Sequence, residues 1–131
     1  MVKKVKILLI DDSEVVARHI TGLLLKENWG VQTASTVPAA IELFKRFTPD
    51  ALLVDFVLEG GQTGLQLLSS LFSLSEKRHP AAILVLGPVS PEDEKKVISL
   101  GARTIQKPVR GKEQDFLQNV AFWLKDSKLI G

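Results

Sequence analysis

Val5-Lys6-Ile7-Leu8-Leu9-Ile10-Asp11-Asp12-Ser13 is the stretch whose reading decides the fold. Val5–Ile10 reads as a continuous buried strand, the kind found where a parallel sheet is covered on both faces. Two adjacent acids end it. A helix is then predicted over Ser13–Glu27, with Val16, Ile20, Leu23 and Leu24 on one face. Asn28 and Gly30 are expected to stop that helix.

The same alternation runs outward to the end of the chain. Val31–Ala34 reads as a short strand, and Thr36 as the cap of a helix with Pro38 in its first turn that runs to Phe47. Pro49 and Asp50 turn the chain into a strand over Ala51–Asp55. A loop with Gly60, Gly61 and Gly64 leads to a helix over Leu65–Ser75, and Ala82–Leu86 forms the fourth strand. Ser90-Pro91-Glu92-Asp93 combines a cap, a first-turn proline and early acids, and the helix it starts ends at Gly101. Thr104–Gln106 is a fifth strand. Gly111–Asp126 is a last helix with Phe116, Val120, Trp123 and Leu124 as its apolar stripe. Five strands alternating with five helices imply right-handed βαβ units and a three-layer α/β fold around a parallel sheet.

Composition bounds the function. The 131 residues fit one domain, and 45% hydrophobic with 24% charged residues is ordinary for a globular chain. A formal charge of +2, from 17 Lys and Arg against 15 Asp and Glu, gives no case for direct nucleic-acid binding. Lys3, Lys4 and Lys6 read as a solvated terminus leading into an edge of the first strand. The absence of cysteine excludes disulfides, zinc–thiolate sites and thiol nucleophiles. No apolar run approaches the length of a membrane span and nothing resembles a signal peptide, so a cytoplasmic location is expected.

Asp11, Asp12, Asp55 and Lys107 all fall where a predicted strand ends. In an open parallel sheet those ends share one rim, where ligands bind. Three acids there repel one another unless a cation sits among them, and oxygen ligands suit a hard divalent ion such as magnesium. Each residue also has a plain structural reading. Asp11-Asp12 can cap the next helix, Asp55 can open a loop, and Lys107-Pro108 can be a turn. The four together are more specific, and they suggest a phosphoryl-transfer pocket. No glycine-rich dinucleotide fingerprint or Walker sequence is present. A haloacid-dehalogenase-type phosphatase would need a second acid two residues after its nucleophile, where Ser13 stands after Asp11. The Gly60-Gly61-Gln62-Thr63-Gly64 cluster reads as a flexible turn before an anion nest. His19 and His79 have no metal-spaced partner, and Trp29 and Trp123 read as core or interface residues.

The chain resembles the CheY-like receiver domains of two-component response regulators. Leu8-Leu9-Ile10-Asp11-Asp12-Ser13, Leu53-Val54-Asp55, Gly64-Leu65, Gly101-Ala102 and Lys107-Pro108 carry the resemblance, which spans Ile7 to about Leu124. It implies a single receiver domain over residues 1–131, with a flavodoxin-like doubly wound sheet in the order 2-1-3-4-5. It also implies a phosphoacceptor signalling role rather than an enzyme. Asp55 would take a phosphoryl group from phosphohistidine on a sensor histidine kinase or a histidine phosphotransfer protein. Magnesium would be held by the Asp12 and Asp55 carboxylates and the Val57 backbone carbonyl, with Asp11 acting mostly through a bound water. Lys107 would contact the phosphoryl group. A downstream protein would dock on Glu92–Leu100, Thr104–Gln106 and Gly111–Asp126. The last helix could also carry a homodimer contact, for which no specific signature exists. The competing expectation is an interaction module that works without phosphorylation.

The departures fall at the family's switch positions. Its fourth strand usually ends in Thr or Ser, and counting back from Gly101-Ala102 puts Leu86 there, or Gly87 after a one-residue shift. The usual aromatic three residues before the lysine is Thr104. Pro88 and Pro91 stiffen the loop between the fourth strand and the helix that follows. Glu59 stands where the family prefers proline, and an exposed loop acid is expected there. A hydrogen bond to a charged group contributes about 1.5–3 kcal/mol, so losing the hydroxyl removes a bias of roughly 10- to 150-fold. The acceptor chemistry is expected to survive that loss, and the usual switch is not.

Overall fold

The computed structural model describes residues 4–74 and 79–131, without the side chain of Glu59. Lys3, the predicted helix end at Ser75, the basic residues Lys77 and Arg78, and the expectation for the Glu59 carboxylate therefore lie outside the described residues.

Five strands form one parallel sheet: β1 (Lys6–Ile10), β2 (Gly30–Ala34), β3 (Ala51–Asp55), β4 (Ala82–Gly87) and β5 (Arg103–Gln106). Their order is β2-β1-β3-β4-β5, as the resemblance implies. Five helices connect and follow them: α1 (Glu14–Leu25), α2 (Val37–Phe47), α3 (Gly64–Leu74), α4 (Pro91–Ser99) and α5 (Glu113–Asp126). A 3-10 turn over Glu59–Gly61 precedes α3.

Strand alternation builds two cores. Ile7, Leu9, Leu53, Leu84 and Leu86 face α1 and α5, where they meet Ile20, Leu24, Phe116 and Val120. Leu8, Ile10, Leu52, Val54 and Val85 face the opposite layer, meeting Phe44, Leu67, Leu71 and Val97. Burying each such leucine contributes roughly 2 kcal/mol, which is why the strands read as unbroken apolar runs.

Local chemistry sets the helix starts. The side chains of Ser13, Thr36 and Ser90 each accept a backbone N–H three residues on, from Val16 at 3.3 Å, Ala39 at 3.2 Å and Asp93 at 3.2 Å. Ser13 is thus the cap of α1 and not its first turn. α5 begins at Glu113, two residues after the expected Gly111, which sits at φ +85° in the preceding loop.

Two expectations are corrected. Gly30 does not stop α1; it is the first residue of β2, and Asn28 takes the left-handed conformation at φ +64°. Lys6 is not part of a solvated terminus: it is the first residue of β1, in register with Gly30 of β2. The Lys6 ammonium donates to the Phe47 carbonyl at 2.9 Å and to Thr48 Oγ1 at 3.0 Å, and lies over the Phe47 ring. Among the described residues no helix is long and apolar enough to cross a membrane.

Candidate functional site

The carboxyl ends of β1, β3 and β5 deliver Asp11, Asp55 and Lys107 to one rim, on the face that carries α1 and α5. Alternation makes this necessary: Asp11 follows Leu9 by two residues, Asp55 follows Leu53, and Lys107 follows Ile105, and all three predecessors point into that layer. Asp11 is held by its backbone N–H, which donates to the Ala34 carbonyl at 3.1 Å. Its Oδ1 accepts the Ser13 N–H at 2.9 Å, so the residue that caps α1 also orients this carboxylate.

Asp55 is 6% exposed. Its Oδ2 accepts from Lys107 Nζ at 3.2 Å, and its Oδ1 is 3.4 Å from the Val57 N–H. Val57 forms an antiparallel bridge with Thr63, closed by Leu58 N–H to the Gln62 carbonyl and Gly64 N–H to the Phe56 carbonyl. Those bonds belong to the flanking residues. The N–H and C=O of Val57 are left on the other edge, the one that faces Asp55. Gly64 allows the start of α3 to approach: a Cβ there would stand 2.7 Å from the Asp55 carbonyl oxygen. Its place there is a packing requirement.

Electrostatically the pocket is unfinished. One carboxylate oxygen from each of Asp11, Asp12 and Asp55 lies within 4.8 Å of the others. Lys107 sits 4.0 Å from Asp11 Oδ2 and is the one cation paired with these acids among the described residues. Asp11 is 1% exposed, and its Oδ2 has no hydrogen-bond partner. Burial pushes the Asp11 carboxyl above its usual value, and repulsion from Asp55 and Asp12 adds to that; the Ser13 N–H and Lys107 pull the other way. An orphaned buried oxygen beside two more carboxylates is a donor set that fits a hard divalent cation.

The switch positions separate. Leu86 is the register partner of Asp55 across β3 and β4, and it is fully buried. It therefore stands on the same face, beside the carboxylate. Gly87 pairs with Gln106 and belongs to the opposite face. Thr104 also belongs to that face, and its hydroxyl donates to Glu94 Oε2 of α4 at 2.8 Å. That bond, and the Phe56 N–H to Leu86 carbonyl bond at 3.1 Å, were not legible in the sequence, because neither pair is close in sequence or distinctive in type.

Among the cavities of the described residues, one of about 650 Å3 opens at the opposite rim beside Lys6, Asp50 and His79. Another of about 470 Å3 forms a groove between α4, β5 and α5, lined in part by Gly87, Pro88, Val89, Glu94, Thr104 and Trp123. His79 stacks on Phe72, Trp29 is buried in the core, and Trp123 carries Arg103 on its ring.

The response regulator receiver domain family matches residues 7–121. Among curated proteins no sequence matches the chain significantly. Among solved structures, the chain is similar to the chemotaxis protein CheY4 of Vibrio cholerae, with TM-score 0.80 and 22% identity over 93% of this chain and 100% of that one. A CheY-like receiver domain protein of Methanospirillum hungatei gives TM-score 0.80 at 22% identity, covering 98% and 100%. A receiver domain protein of Clostridium thermocellum gives 0.76 at 23%, covering 95% and 98%. At these identities the likeness is one of fold.

Proposed function

The chain belongs to the response regulator receiver domain family of two-component signalling, and from that premise we propose that Asp55 accepts a phosphoryl group from phosphohistidine. The donor is a sensor histidine kinase or a histidine phosphotransfer protein. The observation that carries this reading is the buried Asp55 carboxylate, held by Lys107 at 3.2 Å within a cluster of two further acids.

In the transfer, one Asp55 oxygen bonds to phosphorus as the P–N bond breaks and its electron pair returns to the imidazole. A carboxylate is a weak nucleophile, so positioning and charge neutralisation supply most of the catalysis. Lys107 holds the acceptor oxygen and then faces the phosphoryl oxygens. Ser13 and Ala34 fix Asp11 through their backbone groups. Asp12 and Asp55, the Val57 carbonyl and, through water, Asp11 would hold magnesium, which when bound supplies the positive charge that this acid-rich pocket lacks. The domain transfers and stores a phosphoryl group without turnover of a free substrate. We read residues 1–131 as one receiver domain working in the cytoplasm.

Incubation with magnesium and acetyl phosphate tests the reading on intact-mass spectra. A phosphoryl mass on the wild type that is absent from Asp55→Asn is expected. An equal gain in both, or none in either, sinks it.

A second reading is favoured by a specific observation: Leu86 replaces a hydroxyl beside Asp55, and Thr104 is bonded to Glu94 away from the pocket. The domain would then dock partners through the groove between α4, β5 and α5 without phosphorylation. Magnesium titration followed by amide NMR separates the two. Shifts confined to the acidic rim support the first reading, and none support the second.

A further inference from the structure

We infer that Leu86 is the residue that senses phosphorylation of Asp55, and that it responds by being driven away from the pocket. The inference rests on the reading of Asp55 as the acceptor. Leu86 and Asp55 are register partners on adjacent strands, so their side chains leave the sheet on the same face. Adjacent strands lie about 4.8 Å apart, which brings a phosphoryl group on Asp55 within van der Waals reach of the leucine. Leu86 is fully buried and offers no donor. The remaining surroundings of Asp55 are already taken, by Lys107 at 3.2 Å, by the Val57 N–H, and by the start of α3 packed on its backbone.

A phosphoryl anion against a buried leucine loses hydration and gains no hydrogen bond. Moving the side chain aside and admitting water lowers that cost. The backbone cannot stay behind. The Leu86 carbonyl accepts the Phe56 N–H at 3.1 Å, tying the end of β4 to the residue after Asp55. The next residues are tightly folded, since a Cβ on Gly87 would stand 3.0 Å from the Val89 nitrogen. Gly87, Pro88 and Val89 also line the groove between α4 and β5, so displacement at Leu86 reshapes that groove. A hydroxyl at this position would pull the strand end toward the phosphoryl group. Leucine reverses the direction.

The test uses wild type, Leu86→Thr and Leu86→Met, each incubated with magnesium and acetyl phosphate. One Asp55 oxygen bonds to phosphorus while the bond from phosphorus to the acetyl oxygen breaks, and acetate leaves. Intact mass reads the extent of modification, and amide hydrogen exchange at Phe56 reads the coupling. In the wild type, Phe56 exchange rises about tenfold on phosphorylation as its bond to Leu86 opens. Leu86→Met, close in volume, keeps that rise and serves as the folded control. In Leu86→Thr the rise disappears, because the hydroxyl can donate to the phosphoryl oxygen. Phosphorylated wild type with unchanged Phe56 exchange overturns the inference and leaves the acceptor reading intact. So does a rise that persists in Leu86→Thr. Absence of any phosphoryl gain overturns both.

Discussion

At the amino ends of the strands, Lys6 and Asp50 meet their partners at close range: the Asp50 carboxylate accepts the Lys6 N–H at 2.9 Å, and the Lys6 ammonium bonds Phe47 and Thr48. At the carboxyl ends, Asp11 is buried with one oxygen unpartnered, and among the described residues the cluster of three acids has one paired lysine, Lys107, which meets Asp11 and Asp55. Both rims place charged groups in partly buried surroundings. One satisfies them within the chain, and the other leaves a deficit of positive charge. Satisfied charge holds a fold together, whereas a deficit maintained by a rigid sheet invites a ligand.

Breaking each rim in turn should have opposite consequences. Lys107→Ala removes the cation facing Asp55, and phosphorylation by acetyl phosphate should slow about 10²- to 10³-fold in a mass-spectrometric time course. Lys6→Met removes two hydrogen bonds. It also leaves Thr48, a β-branched residue at φ +46°, without the ammonium that bonds its hydroxyl. Denaturant unfolding should show a loss of about 1.5–3 kcal/mol with no change in phosphorylation rate. Asp11→Asn should do the reverse. It should raise metal-free stability at neutral pH by about 1 kcal/mol while weakening magnesium binding, read by thermal unfolding with and without the ion.

The pH dependence of Asp11 sharpens the contrast. Its carboxyl is raised above the usual 3.8, so the folded protein holds that proton more tightly than the unfolded chain does. That contribution is complete below pH 3.8 and is lost as pH rises through the raised value. Bound magnesium would offset the resulting repulsion, so the magnesium-induced rise in Tm should grow with pH across this window, and in Asp11→Asn it should be smaller and lose that pH dependence. The smallest effect is expected at Thr104→Val, which removes one exposed hydrogen bond to Glu94 and should cost at most about 0.5–1 kcal/mol with phosphorylation unchanged.

The acidic rim was legible in the sequence because alternation and strand length together place strand ends, and acids after buried runs are conspicuous. The bounds of α2 and β3 follow from Thr36, Pro38 and Pro49, whose conformational demands are strictly local. Gly30 misled because glycine serves equally as a helix stop and as a strand residue, and Asn28 had already taken the left-handed turn. Lys6 misled because its partners, Phe47 and Thr48, lie about forty residues away, beyond any local pattern. The choice between Leu86 and Gly87 depended on strand register, which one residue of slip reverses. The pairing of Asp55 with Leu86 puts Leu86, and not Gly87, beside the carboxylate.

Acceptance of the phosphoryl group at position 55 is tested most directly by locating it. Borohydride reduction of the phosphorylated wild type, followed by peptide mass mapping, converts an aspartyl phosphate to homoserine. Homoserine at position 55 and at no other carboxylate is the expected result. Reduction at Asp11 or Asp12, or a phosphoryl group on Ser13 with position 55 unchanged, would contradict the account.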